Sequence, residues 1–348
     1  MIQISENRFK LAIKSLQAES AYDNFINKVQ QKLNDYRSNK VVIYSNDGKR
    51  ILTSTEKADI NRIKKYKIKN GTFCYQYLEL IKDVKNLVCL NPFKLNGLIN
   101  KINAISISCK EIVKKQFLND IEELLNYKKF RKEIIPLFYN LLGIKVCVYC
   151  NTQHTIFLRD SGLGRYQADH NIAKSTYPFL AITLSNLYPT CNNCNHLKSK
   201  SPLDFKLYYK IKSKQINYIA YLEEKDIVAF VSGNFDESKL SIKFRDVPDD
   251  FKNTIRPLEI YENHTDYAAD LIKKKIIYNQ TYKDLLTNHF KELFPSTSRG
   301  VHNKQLFDRL IYGSSLEEDD IHKRVFSKLN IDIMKQLEKL DPDKLKYK

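Results

Sequence analysis

Apolar residues recur at helical spacing through much of the first 140 residues. Tyr22, Phe25, Ile26, Val29, Leu33 and Tyr36 follow one another at intervals of three and four and mark the buried stripe of a helix. Ile121, Leu124, Leu125 and then Ile134 to Leu142 predict a second amphipathic helical region, interrupted near Pro136 and ended by Gly143. Between these regions, Val41 to Tyr44, Asp47-Gly48 and Ile51-Leu52 predict a small hairpin. The run Lys64-Lys65-Tyr66-Lys67-Ile68-Lys69 interleaves basic and apolar positions; it suits a solvated helix face, or a surface that tracks a nucleic-acid backbone.

The period changes further along. Arg165 to His170 alternates after Gly162 and Gly164, which predicts a short strand. Phe205–Ile211, Ile216–Leu222, Ile227–Val231 and Leu240–Phe244 are rich in Tyr, Ile and Val and are separated by turn residues, predicting an antiparallel sheet. From Asp266 the helical period returns with Tyr267, Leu271, Ile276 and Ile277, and continues through Leu285, Leu286, Phe290 and Leu293. Pro295 to Gly300 reads as a loop. The acidic Glu317–Asp320 reads as the first turn of a helix carrying Val325, Phe326, Leu329, Ile331 and Ile333. The expected class is α+β, in three consecutive blocks: a mainly helical 1–140, a core at 141–205, and strands followed by helices packed on that core at 206–348.

With 348 residues and 58 Lys and Arg against 40 Asp and Glu, the formal net charge is +18. Such a balance favours a polyanion as partner, although a lysine-rich coding bias gives the same composition. No apolar run approaches the roughly twenty residues of a membrane span, and no leader follows Met1; the expected location is the cytoplasm.

The cysteines sharpen this picture. Cys147-Val148-Tyr149-Cys150 and Cys191-Asn192-Asn193-Cys194 are two CxxC pairs, the pattern of a tetrahedral four-thiolate Zn²⁺ site. Two disulfides or four buried thiols are the alternatives, and a reducing compartment favours zinc. Such a zinc site is coordinatively closed, so it staples the fold and does no chemistry itself. Cys74, Cys89 and Cys109 are scattered and read as reduced thiols. His264, His289, His302 and His322 have no partner at metal spacing and read as structural or surface residues.

Chemistry is sought between the pairs. Asp169-His170 lies in the predicted strand, Asn186 precedes Leu187-Tyr188-Pro189-Thr190-Cys191, and Asn195 follows the last cysteine. Neighbours on a strand point to opposite faces, so Asp169 and His170 need a bend or a strand end to serve one site. The order Asp-His, then Asn, then CxxC-Asn with Lys198 and Lys200 resembles the HNH nuclease family over about sixty residues, Gly143 to Pro202.

That resemblance implies a ββα-metal core and a metal-dependent endonuclease. It implies His170 as the general base that deprotonates the attacking water, and Asn186 as support for the base's loop and its imidazole. Asp169 would be a ligand of the catalytic Mg²⁺ or Mn²⁺, and Asn195 its second ligand. His196, one place later, competes with Asn195 for that role. The residue types suit the chemistry: imidazole titrates near neutral pH, and a hard cation prefers oxygen donors and can relieve charge on a phosphate. Lys198 and Lys200 would lie on a helix ended by Ser201-Pro202. With Lys206, and with Lys210, Lys212 and Lys214 beyond, they would form a basic ridge for backbone phosphates, or an edge strand kept soluble by charge.

The phrases CVYCN, ADHNIAKSTYPFLAITLSNLYPTCNNCNHLKSK and FSKLNIDI look most like the HNH subunit of Septu-type bacterial anti-phage systems. This narrower resemblance implies a DNA substrate and an SMC-like ATPase partner. The competing expectation is a zinc-stapled nucleic-acid-binding or adaptor module without catalysis.

Overall fold

The computed structural model describes residues 3–38, 68, 70–158, 163–201, 203–210, 218–289, 300–313, 316 and 321–340. The hairpin expected at 41–52, nearly all of the basic run at 64–69, Lys212, Lys214, Pro202 and the acidic turn at 317–320 lie outside the described residues. The chain is mixed α/β, dominated by helices, with small sheets.

Eight strands are described: β1 (Ile4–Ser5), β2 (Ile156–Leu158), β3 (Leu163–Arg165), β4 (Gln167–His170), β5 (Leu187–Thr190), β6 (Tyr208–Tyr209), β7 (Ile219–Leu222) and β8 (Ile242–Arg245). They pair two by two, as β1–β6, β2–β3, β4–β5 and β7–β8. Gly164 sits in β3 under the ring of Tyr166: a Cβ there would come within 2.4 Å of the ring, so no larger residue fits without moving it.

The chain forms two compact units, one of residues 7–142 and 168–188, the other of residues 1–6, 143–167 and 189–348. These cut the sequence differently from the three expected blocks, because the segment Ala168–Tyr188 joins the helices of the N-terminal half.

The first unit is built from α1 (Glu6–Leu16), α2 (Ser20–Arg37), α3 (Phe73–Leu80), α4 (Val84–Val88), α5 (Leu95–Asn103), α6 (Glu111–Leu124), α7 (Tyr127–Glu133) and α8 (Ile135–Leu142). The stripe expected on α2 is the buried one, Tyr22 through Tyr36. The second amphipathic region breaks earlier than expected, at Asn126, whose left-handed φ of 50° lets its side chain cap α7. A second break falls at Ile134, between α7 and α8, next to Pro136 as expected; Pro136 itself lies in the first turn of α8, where its missing N–H costs nothing. Aromatic rings fill this unit: Phe25 meets Phe130 at 5.2 Å, and Tyr77 meets Phe117 at 5.4 Å and Phe179 at 6.2 Å. Phe179 belongs to the 3-10 segment Pro178–Ile182, which packs on α4, α6 and α7.

The second unit carries α9 (Asn192–Lys198), α10 (Glu224–Ser232), α11 (Asp249–Ile255), α12 (Pro257–Tyr261), α13 (Thr265–Ile277), α14 (Gln280–His289), α15 (Gly300–Tyr312) and α16 (Ser327–Leu337). The expected C-terminal sheet is corrected in two places. Ile227–Val231 is helical, inside α10: Glu224 and Asp226 fill its first turn, and Ile227, Phe230 and Val231 face inward at spacings of three and four. The β-branched residues that suggested a strand are here core positions of a helix. Among the described residues, the stretch from Phe205 contributes only β6, which pairs in parallel with β1. What remains of the sheet is the antiparallel pair β7–β8, in the register Ile219↔Arg245 to Leu222↔Ile242.

The other edge of β7 is held by side chains of α16. Asp332 accepts the N–H of Ala220 at 2.9 Å, and Gln336 accepts that of Leu222 at 3.0 Å. Both acceptors stand one helical turn apart, matching alternate residues of the strand.

Candidate functional site: a thiolate cluster and an Asp-His strand end

Two arrangements of residues stand out, one suited to a structural metal and one to chemistry, and they lie in different units. The first is the thiolate cluster. The Sγ atoms of Cys147, Cys150, Cys191 and Cys194 all lie within 4.8 Å of one another, and all four residues are buried. Cys150 Sγ and Cys191 Sγ are 3.9 Å apart. Four sulfurs at about 2.3 Å from a tetrahedral zinc are separated by roughly 3.8 Å, whereas a disulfide would need about 2.05 Å. The set therefore fits a structural zinc ion and excludes the disulfide alternative; all the cysteines are free thiols.

Local backbone explains why the sulfurs converge. After the first pair, Asn151 turns left-handed at φ 58° and donates its N–H to the Cys147 carbonyl at 2.9 Å. Thr152 donates its hydroxyl to Cys150 Sγ at 3.2 Å. In the second pair, Cys191 caps α9 and its sulfur accepts the N–H of Cys194 at 3.4 Å. The Val148 N–H reaches the Pro189 carbonyl at 3.2 Å and ties the two turns together.

The neighbouring Cys147 thiol, by hydrogen bonding, holds Cys150 and Cys191 below the usual thiol range, while burial pushes Cys147 up and hydrogen bonds from the other thiols raise Cys194.

Three aromatic and polar groups brace the first turn. Tyr261 donates its hydroxyl to the Cys150 carbonyl at 2.6 Å, and Tyr218 donates to the Tyr149 carbonyl at 3.3 Å. Burial keeps the Tyr261 phenol neutral. Asn151 Oδ1 accepts the N–H of Lys328 at 2.9 Å, and its amide nitrogen donates to the carbonyls of Ile321 and Arg324 at 3.3 Å each. The FSKLNIDI segment thus docks directly on the residue that follows Cys150.

The second arrangement lies at the end of β4. Asp169 is 4% exposed and His170 is half-buried as the last residue of the strand, the position where adjacent side chains can depart from strict alternation. His170 Nε2 is 3.3 Å from the Ala181 carbonyl. A carbonyl only accepts, so the neutral ring carries its proton on Nε2 and its basic lone pair on Nδ1. The ring of Tyr127 lies beside it, with centroids 5.0 Å apart. Burial is the main reason that the Tyr127 phenol is pushed up to about 12, with Asp169 adding to the rise and Arg131 opposing it.

Asn186 is fully buried. Its Oδ1 accepts the Ile172 N–H at 2.9 Å, and its amide nitrogen donates to the Ile172 carbonyl at 3.0 Å. The Asn186 carbonyl also accepts the Asn171 N–H at 2.9 Å. Asn186 therefore clamps the loop that leaves His170; the imidazole itself is held by Ala181.

Asn195 is half-buried on α9, in the unit that carries the cysteines, and His196 beside it is exposed. Among the described residues, the four cysteines are the one group of three or more His, Cys, Asp or Glu side chains that converge at ligand distance. Of the expected phosphate contacts, Lys200 and Lys206 are exposed, and Lys200 lies in the turn after α9. Lys198 is 2% exposed and does not present its ammonium to solvent. It stands four residues after Cys194, on the same inward face of α9, the helix that packs on α11. The helix stops at Ser199, where φ is 47°, ahead of Pro202.

Sequence reasoning missed Tyr127, Asn151 and Thr152. Tyr127 comes from a helix far upstream, and no spacing rule links it to His170. Asn151 could have been found, since an Asn directly after a CxxC turn suits a left-handed position. No helix among the described residues is long and apolar enough to cross a membrane. Comparison of the chain with protein-family models, with curated proteins and with solved structures returns no match.

Proposed function

We propose that this chain is a metal-dependent endonuclease of the HNH type that hydrolyses phosphodiester bonds of DNA, acting in anti-phage defence beside an SMC-like ATPase. The observation that carries the reading is the Asn186 clamp. The sequence pattern assigns the middle Asn to support of the base's loop, and Asn186 holds both backbone groups of Ile172 within that loop. A binding module has no need for such a buried brace behind an Asp-His pair. The ββα-metal core, the DNA substrate, the defence role and the ATPase partner rest on the sequence resemblance.

In this reading His170 takes a proton from the attacking water at Nδ1, with Nε2–H anchored on the Ala181 carbonyl. Tyr127 limits the swing of the ring from one side. Asp169 would hold a divalent ion; bound there, a hard cation supplies charge relief at the scissile phosphate. The zinc held by the four cysteines is structural.

Plasmid nicking in Mg²⁺ or Mn²⁺ tests this. Wild-type protein should cleave, chelator should abolish cleavage, and His170→Ala should lose it while still binding DNA. Undiminished cleavage by His170→Ala, or cleavage in excess chelator, would sink the reading; binding without any cleavage would leave the adaptor alternative.

A further inference from the structure

The helix that reaches His170 is strongly basic. In α7 (Tyr127–Glu133), Lys128, Lys129, Arg131 and Lys132 accompany a single carboxylate, Glu133, which pairs with Lys129 at 3.7 Å. The helix has an inward arc and an outward arc. Phe130 is fully buried, as is Ile134 just beyond the last turn. Lys128, Arg131 and Lys132 are exposed and share the outward arc, at spacings of three and four. Tyr127 stands four residues before Arg131, at the edge of that arc, and its ring is the one beside the His170 imidazole, 5.0 Å between centroids. A further cation, Lys174, has its Nζ 4.9 Å from the centre of the Tyr127 ring and pairs with Glu122.

We propose that the exposed arc of α7, Lys128, Arg131 and Lys132, is a phosphate-backbone-binding surface that delivers a nucleic-acid strand to His170. Two observations make this more than a solvated helix face. The arc begins at the aromatic residue in contact with His170, so a strand lying along it passes the imidazole. Lys174, in the loop that leaves His170, brings a further ammonium to 4.9 Å from the centre of the same Tyr127 ring, so basic groups approach that ring from a second segment. Lysine and arginine on a helix bind phosphate oxygens without reading bases, so the surface takes nucleic acid by its backbone. That the strand is cut there rests on the proposed nuclease reading; that it binds there does not.

The test separates the two. In a His170→Ala background without divalent ion, binding of a labelled DNA duplex of about 30 base pairs is followed by anisotropy over a range of salt. The triple variant Lys128→Gln, Arg131→Gln, Lys132→Gln should bind roughly tenfold or more weakly at 0.1 M salt. The slope of log affinity against log salt should fall by about two to three, close to one for each phosphate that the variant no longer neutralises. A control with equal charge loss, Lys14→Gln, Lys28→Gln, Lys32→Gln, uses exposed lysines of α1 and α2 and should change the slope little. The single variants Lys128→Gln and Lys132→Gln, each expected to lower the slope by about one, replace the triple variant if it melts early.

Equal losses in the triple variant and the control would reduce the effect to net charge and overturn the surface, as would an unchanged slope or a parent that does not bind duplex. A selective loss in the triple variant, with no cleavage by the wild-type protein, would keep the surface and sink the nuclease. Cleavage by the wild type without a selective loss would do the reverse.

Discussion

Asn186 and Ile172 exchange a complete pair of hydrogen bonds: the carboxamide oxygen of Asn186 accepts the Ile172 N–H at 2.9 Å, and its amide nitrogen donates to the Ile172 carbonyl at 3.0 Å. A side-chain amide here does what a neighbouring strand would do. It closes the loop after His170 beside the single backbone bond from the Asn171 N–H to the Asn186 carbonyl.

Asn186→Ala should therefore cost about 1–3 kcal/mol, because it leaves a partly buried donor and a partly buried acceptor of Ile172 without their partners. Asn186→Asp keeps the acceptor but puts a second acceptor against the Ile172 carbonyl, and should cost at least as much near neutral pH. Urea denaturation of both variants checks this; a loss under about 0.5 kcal/mol for either, the low end for a single net hydrogen bond, would refute the clamp.

Metal content provides the second prediction. Purified protein should carry one zinc per chain by elemental analysis, and Cys191→Ser should carry none. Since metal binding to such sites is coupled to folding by on the order of 10 kcal/mol, the variant and the chelator-treated protein should both melt at markedly lower temperature. Wild-type protein that is zinc-free and equally stable would contradict the site.

Asn151 links the first cysteine turn to α16 through the Lys328 N–H and the carbonyls of Ile321 and Arg324. Asn151→Gly preserves the left-handed φ and removes these bonds, whereas Asn151→Ala removes the bonds and adds backbone strain. Losses of about 2–3 kcal/mol for Gly and about 3–4 for Ala are expected from thermal or urea unfolding. Equal stability of the wild type and Asn151→Gly would show that the hydrogen bonds contribute nothing net.

Glu223 supplies a pH dependence. Lys225 and Lys243 hold its carboxyl down to about 2. A folded-state value below the unfolded one adds stability that is present above the ordinary carboxylate range and lost as pH falls toward the folded value. The melting temperature of wild type should exceed that of Glu223→Gln at about pH 6, and the gap should close on acidification to roughly pH 2–3. The group is on the surface, so the gap should also shrink in high salt.

Legibility in the sequence followed the range of the forces involved. The stripe on α2 was readable because burial of Tyr22, Phe25 and Val29 is written in their spacing. The cysteine pairs were readable because a metal fixes ligand number and local turn, and the sulfurs do converge. Ile227–Val231 misled because β-branched residues suit a strand and a packed helix face alike, and the deciding signal, two acids in the first turn, lay at the edge of the apolar run. Lys198 reads as a surface cation in the sequence, since nothing local says which way the fourth residue after a ligand cysteine points. Tyr127 beside His170 was beyond reach: ring packing between distant segments has no period and no spacing.

The interleaving of the chain bears on how the protein can be divided for experiment. A fragment ending at Leu142 would retain α1 to α8 but lack the Pro178–Ile182 turn, leaving α4, α6 and α7 without that packing segment and Tyr77 without the Phe179 ring. The helical half is thus not an autonomous piece: it borrows its last internal wedge from a peptide threaded between the two cysteine pairs, and any truncated version needs that insert supplied by redesign or by a second chain.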